Sequence, residues 1–354
     1  MSDEYLWDGS RAPGPDDADV VRLERVLGRL RKPLPPAPAI QSSTVALRDD
    51  AHARGDDDAA HVRYAGARFL VPSLAAAAAI VLMIGLTWRT LQAPRSWEVA
   101  AMAGQPRIES TAVADTARIA VGQTLVTDSA SRARLHVGTI GQVVVDGNSS
   151  VRLVDTRRAH HQLALDHGTL HAFITAPPGQ FVVNTPSSTA TDLGCVYTLE
   201  VDEDGTGMLS VTAGWVAFEF KGRESFVPAR ASSRTDPERG PGTPRYDDAD
   251  AELRTALDSV DYAGDAATRA AALRVVLQRA RTRDAMTLWH LISRVDVADR
   301  AAVVDALAAR APMPAGVTRE AVLRLDRAAL DQWWDSLGLR DATWWRRWKA
   351  TNIW

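Results

Sequence analysis

Four histidines and one cysteine are the residues of this 354-residue chain whose types could do chemistry at short range. His160, His161, His167 and His171 crowd one stretch, and imidazoles on neighbouring strands can hold a metal ion. His160 and His161, however, are adjacent in a stretch that reads as a strand, so they point to opposite faces. His167 falls in Asp166-His167-Gly168, which reads as a turn. The expectation is solvent-facing strand or turn histidines and no metal. Cys195 is the sole cysteine, which excludes internal disulfides and a cysteine-based zinc site. In its apolar strand it is expected to act as a small buried hydrophobe rather than a nucleophile. The chain contains no G-x-S-x-G, H-E-x-x-H or P-loop, and no G-x-G-x-x-G between a strand and a helix. The expectation is therefore not an enzyme, with no cofactor. A formal net charge of −3, with acids and bases interleaved, gives no domain-wide basic surface for nucleic acid.

The elements that would position these residues fall into blocks. Phe69–Trp88 has no charged residue, His, Asn or Gln and runs between Arg68 and Arg89. As a helix it would be roughly 30 Å long, the thickness of a bilayer's hydrocarbon core. A single transmembrane helix over 69–88 is expected, with Arg68, Trp88 and Arg89 at the membrane interface. The competing reading is a buried helix of a soluble core, since Ala75–Ala79 dilute the segment's hydropathy and Pro72 lies in its first turns. Basic residues flank both ends about equally, so charge does not orient the segment.

Residues 1–68 read as a polar arm with one amphipathic helix, Asp16–Lys32. Val20, Leu23, Leu27 and Leu30 fall on one stripe, acids start the helix, and bases followed by Pro33 end it. Such a helix cannot bury its stripe alone. Trp7, Val20, Leu23, Leu27 and Leu30 are the expected contacts for a protein partner, a second copy or a membrane surface. The alternative is a weakly ordered helix with no specific partner.

From Trp97 to about residue 229 helical periodicity vanishes. Short alternating runs such as Ala133–Val137, Ser150–Val154 and Val196–Val201 are punctuated by Gly138, Gly141, Asp146-Gly147-Asn148, Pro178-Gly179, Asp204-Gly205 and Gly214. This predicts an all-β antiparallel sandwich, roll or solenoid. Several motifs then occur in order. They are Gly122-Gln123-Thr124-Leu125-Val126-Thr127, Ser131-Arg132-Ala133-Arg134-Leu135, Leu165-Asp166-His167-Gly168, Phe181-Val182-Val183-Asn184-Thr185-Pro186, Gly194-Cys195-Val196-Tyr197 and Val211-Thr212-Ala213-Gly214-Trp215-Val216. Together they resemble the FecR-domain family, with Cys195 and Tyr197 standing where Thr and Phe are usual. The resemblance marks Gly122, Thr127, Gly168, Gly194, Tyr197 and Gly214 as structural motif residues. It implies a bacterial single-pass inner-membrane regulator of anti-sigma-factor type. The N-terminus would be cytoplasmic and bind an extracytoplasmic-function (ECF) sigma factor, and the β domain would sense in the periplasm. The zinc-binding kind of anti-sigma domain is excluded, because it needs two cysteines with a histidine. A reading of a different class is an envelope scaffold whose domains bind a wall or protein ligand.

Residues 230–248 read as a linker rich in Ser, Pro, Gly and charge. The helical period returns over 249–354, predicting a small α-helical module with helices near Leu288–Val295, Ala301–Ala309 and Val322–Leu337. Asp284, Asp299 and Thr318 are the predicted N-caps. Trp333, Trp334, Trp344, Trp345, Trp348 and Trp354 crowd the tail, interleaved with Arg346, Arg347 and Lys349. These rings either cap the module's own core, meet a membrane or dock on a partner, with Trp344, Trp345 and Trp348 as the candidate docking residues.

Overall fold

The computed structural model describes residues 96–157, 159–339 and 345, all within one compact unit spanning residues 72–354. Strands come first: β1 (Ser96–Ala103), β2 (Arg107–Ile108), β3 (Thr111–Ala112), β4 (Thr116–Ala120), β5 (Thr124–Thr127), β6 (Arg132–Val137), β7 (Gly141–Val145), β8 (Ser149–Arg157) and β9 (His160–Ile174). Then come β10 (Phe181–Thr185), β11 (Ser188–Asp192), β12 (Val196–Val201), β13 (Gly207–Ala213), β14 (Trp215–Phe220), β15 (Arg223–Pro228), β16 (Ala231–Asp236), β17 (Gly240–Pro241) and β18 (Arg245–Tyr246).

Alternation sorts these strands into two layers around one core. Ala133, Leu135 and Val137 of β6, Val143 and Val145 of β7, and Tyr197, Leu199 and Val201 of β12 point inward from the first layer. Val151 and Leu153 of β8 and Val216 and Phe218 of β14 meet them from the second. The first layer runs β4-β1-β6-β7-β9-β12-β13-β16. The second runs β3-β2-β5-β8-β9-β10-β11-β14-β15. The fifteen-residue β9 belongs to both. Its His160–His167 half pairs with β8, and its Gly168–Phe173 half pairs with β12. Gly168, at φ +99°, marks the change of layer; a Cβ there would stand 2.4 Å from Ser149 Cα.

Helices follow: α1 (Ala251–Tyr262), α2 (Ala266–Arg279), α3 (Ala285–Ile292), α4 (Val297–Ala308), α5 (Arg319–Leu323) and α6 (Arg327–Ser336). The Asp250, Asp265, Thr318 and Asp326 side chains cap their helices' backbone N–H groups. Asp284 precedes α3 but its carboxylate holds Arg281 instead, and Asp299 lies inside the first turn of α4, behind the N-cap Asp296. The helix expected over 322–337 is broken into α5 and α6, where Leu325 takes φ +60°.

Four expectations change. Among the described residues the architecture is a large two-layered β-sheet with C-terminal helices, and a single transmembrane helix is not shown. Among the described residues no helix is long and apolar enough to cross a membrane, and the longest, α2, has 14 residues. The stretch 69–88, with Arg68, Trp88 and Arg89, lies outside the described residues, as do the arm 1–68 and its contacts Trp7, Val20, Leu23, Leu27 and Leu30. The sheet is not wholly antiparallel, because β9 and β10 pair in parallel. Residues 230–248 are not a free linker. They form β16 to β18, with β16 laid against β13. Finally, the helices do not stand apart. Trp215, Ala217 and Phe226, on the outer side of β14 and β15, share a cluster with Met286 of α3, Trp334 of α6 and Trp345.

The helices also close a sheet edge. The Phe226 N–H of edge strand β15 donates to His290 Nε2 at 3.1 Å, and Arg294 donates to Glu224 O at 2.7 Å. His290 Nδ1 lies 2.9 Å from Met286 O, which fixes the neutral tautomer that leaves Nε2 free to accept. An edge that would otherwise offer its backbone to another strand is thereby covered.

Candidate functional site

The FecR-motif residues hold the sheet at its tightest points. Gly194 and Gly214 both take positive φ, and their backbones touch. A Cβ on Gly214 would stand 2.1 Å from Gly194 O and 2.9 Å from Cys195 Cα. Thr127 Oγ1 donates to Asp146 O at 2.6 Å and accepts from Ser149 N at 3.0 Å, locking the turn before β8. Gly122 sits at φ +93° in an open turn, with nothing within 4 Å of where a Cβ would stand. Tyr197 is fully buried in the core.

Beside that glycine contact lies a buried titratable cluster. Asp192, 1% exposed, accepts from Gly194 N at 2.6 Å and from Cys195 Sγ. Burial raises its carboxyl to about 7, against the pull of those donors. Burial, then the nearby Asp192 charge, pushes the Cys195 thiol well up, so it is no nucleophile at neutral pH. Burial likewise raises the Tyr197 phenol. Asp192 was legible in principle, since it continues the inward phase of Ser188 and Ala190 along β11.

The four histidines do not converge. His161 faces the core, His160 borders a groove on the second layer, and His167 lines an open polar cleft with Glu200 and Asp202. His171 lies on the outer face of the first layer. There Nδ1 is 2.9 Å from Thr198 Oγ1 and Nε2 2.8 Å from Asp146, whose other oxygen pairs with Arg132 at 2.7 Å. This hydroxyl–imidazole–carboxylate chain resembles a catalytic relay in composition, but it runs laterally from β12 through β9 to the end of β7, and on to Arg132 of β6, as a cross-strand polar network. Among the described residues no group of three His, Cys, Asp or Glu side chains is placed to hold a metal ion.

An apolar groove of about 750 Å³ lies on the outer face of the second layer. Val182, Thr191 and Ala217 form its floor, and Trp345 forms one wall. Glu219 and Glu224, directly opposed across β14 and β15, line its far side. Trp345 is 7% exposed and lies so close to Gly179 that a Cβ there would meet the ring at 2.9 Å. Trp333 is buried among the helices and Trp334 between helices and sheet. Trp344 and Trp348 lie outside the described residues.

The stretch that holds these tight glycine turns and the Asp192 cluster, residues 123–217, matches the family model described as FecR protein. The chain carries a FecR domain. In that domain Thr127, Gly168, Gly194, Tyr197 and Gly214 fall within the matched residues, while Gly122 stands just before them. A comparison with curated proteins gives no match. Two crystal structures of a candidate anti-sigma factor from Parabacteroides distasonis, at 1.65 and 2.50 Å resolution, are similar at 14% identity and TM-score 0.32. The similarity covers 38% of this chain and 64% of that one, so the chain spans a little under two thirds of those relatives.

Proposed function

We propose that this chain is a FecR-type regulator rather than an enzyme. In this reading the FecR domain receives a signal, and the helix Asp16–Lys32 docks on a protein partner such as an ECF sigma factor. The match of residues 123–217 to the FecR family carries the reading. It is supported by the use made of the motif residues, which serve packing and turn geometry, and by a thiol that burial makes unreactive. The apolar stripe Val20, Leu23, Leu27 and Leu30 is the contact surface in this proposal. Co-purification of the full chain with a candidate sigma factor tests it. A complex weakened at least about tenfold by Leu27→Asp, the loss of about one buried apolar anchor, is the expected result. No complex, or one indifferent to Leu27→Asp, would overturn it.

The groove walled by Trp345 favours a second reading, a scaffold that binds a protein or wall ligand through its folded part. Under that reading deleting residues 1–60 leaves the protein's phenotype unchanged.

A further inference from the structure

The start of β1 carries an arrangement that packing alone does not explain. Trp97 and His161 are both buried, at 3% and 6% exposure, with ring centroids 5.7 Å apart. Trp97 Nε1 and His161 Nδ1 each lack a hydrogen-bond partner among the described residues. So does the buried Thr156 Oγ1, and Thr156 stands directly opposite His161 in the β8–β9 pairing. Buried polar atoms in native proteins are almost always paired, so three orphans from adjoining elements make this seat costly in polar terms and intolerant of an added charge. The turn between β6 and β7 closes over the imidazole at Gly138, whose Cβ would be 3.2 Å from His161 Cε1.

We propose that His161 is an acid-sensitive latch that seats Trp97, and with it the first strand, in the core of the β domain. A neutral imidazole tolerates this apolar seat, whereas an imidazolium must place two N–H donors and a charge there. Attraction to the Trp97 ring offsets only part of that lost hydration. Among the described residues the ionisable groups facing His161 are few. Asp155 of β8 favours the charged form, but its carboxylate is bound by Arg157 at 2.6 Å. His160, on the same strand, opposes it. Glu98 of β1 is exposed on the other face, and the turn Val137–Ile140 has no ionisable side chain. Burial lowers the His161 pKa, so the folded state binds the proton less readily than the open one. The latch therefore holds above the ordinary imidazole range and weakens as pH falls through it. The strand that loosens, β1, is the first described strand of the sheet. The latch stands whether or not a sigma factor is the partner, and the signal it reads is acidification.

Hydrogen exchange of the full chain between pH 7.5 and 5, corrected for intrinsic rates, tests this. Amides of Ser96–Ala103 are expected to open up to about tenfold more for each pH unit below about 6.5, with helix α4 (Val297–Ala308), which carries neither His161 nor Asp192, as the internal reference. His161→Gln and His161→Phe, which cannot take up the proton, should abolish the pH step. A wild-type β1 whose opening ignores pH, or a variant that keeps the step, overturns the proposal. Should neither variant fold, NMR titration of the wild-type His161 ring decides: a pKa at or above the ordinary imidazole value overturns the latch, and a lower one supports it.

Discussion

At the residue scale, Gly214 and Gly122 separate two reasons for a glycine in the FecR motif. Both take positive φ, but only Gly214 faces backbone atoms that cannot move aside. Gly122→Ala is expected to cost about 1–2 kcal/mol from backbone strain alone. Gly214→Ala adds overpacking to strain, about 2–6 kcal/mol together. Denaturant titration of the two variants reads the difference, and equal losses would show that the Gly194–Gly214 contact is not tight. Asp192 leads to a pH prediction. Its folded-state carboxyl is raised from 3.8 to about 7, so the folded protein keeps a proton that the unfolded chain has released. Its contribution to stability is full below about pH 4 and is lost as pH rises through about 7. Asp192→Asn removes the charge and should be less penalised than wild type at pH 8. Melting curves from pH 4 to 8 are expected to diverge in the variant's favour, whereas parallel pH dependence would place the titration elsewhere.

At the element scale, α1 is fixed to the sheet by the Arg245–Asp258 pair, by Tyr262 and by a buried ion cluster around Asp261. Asp261, 4% exposed, accepts from Thr243 N at 2.6 Å, from Thr243 Oγ1 at 3.0 Å and from Arg223. The buried Arg294 lies 3.9 Å from the same carboxylate and donates to Ser225 Oγ at 2.7 Å. Burial pulls Arg294 down to about 10, leaving it charged at neutral pH. Removing Asp261 alone strands that charge, so Asp261→Ala should cost about 3–5 kcal/mol. Replacing both partners, Asp261→Leu with Arg294→Met, should recover much of the loss, since a paired buried charge contributes little beyond an apolar filling. Thermal unfolding of the single and double variants measures both effects.

At the scale of the whole molecule, the helices are part of the β domain's solubility. They cover Trp215 and Phe226 on the outer face of the second layer and cap the β15 edge with His290 and Arg294. A fragment ending at residue 247 would expose both an aromatic patch and a strand edge. It is expected to self-associate more than the full chain does in size-exclusion chromatography with light scattering. A monodisperse, folded fragment would show that the two parts are independent.

Local patterns in the amino-acid sequence were enough for most of the strands between Ala117 and Phe220, most of their glycine turns, the FecR resemblance, the return of helices after residue 249 and the cap at Thr318, but not for the Asp caps, and His167-Gly168 proves to lie inside β9 rather than in a turn. Alternation, positive-φ turns and capping are each readable within a few residues. The strands within 230–248 were not readable. β17 and β18 are two residues each, and polar β16 exists because β13 offers it a partner. Nor did the histidine stretch disclose that His161 would face a tryptophan entering from the first strand, or that His171 would join Asp146 and Thr198 across strands. The parallel β9–β10 pair and the placing of Phe226 under α3 and α6 are of the same kind. Each joins residues far apart in the chain, and what decides it is which surfaces remain to be buried once the local elements have formed. That competition is settled by tertiary packing, because propensity and period carry no information about the partner.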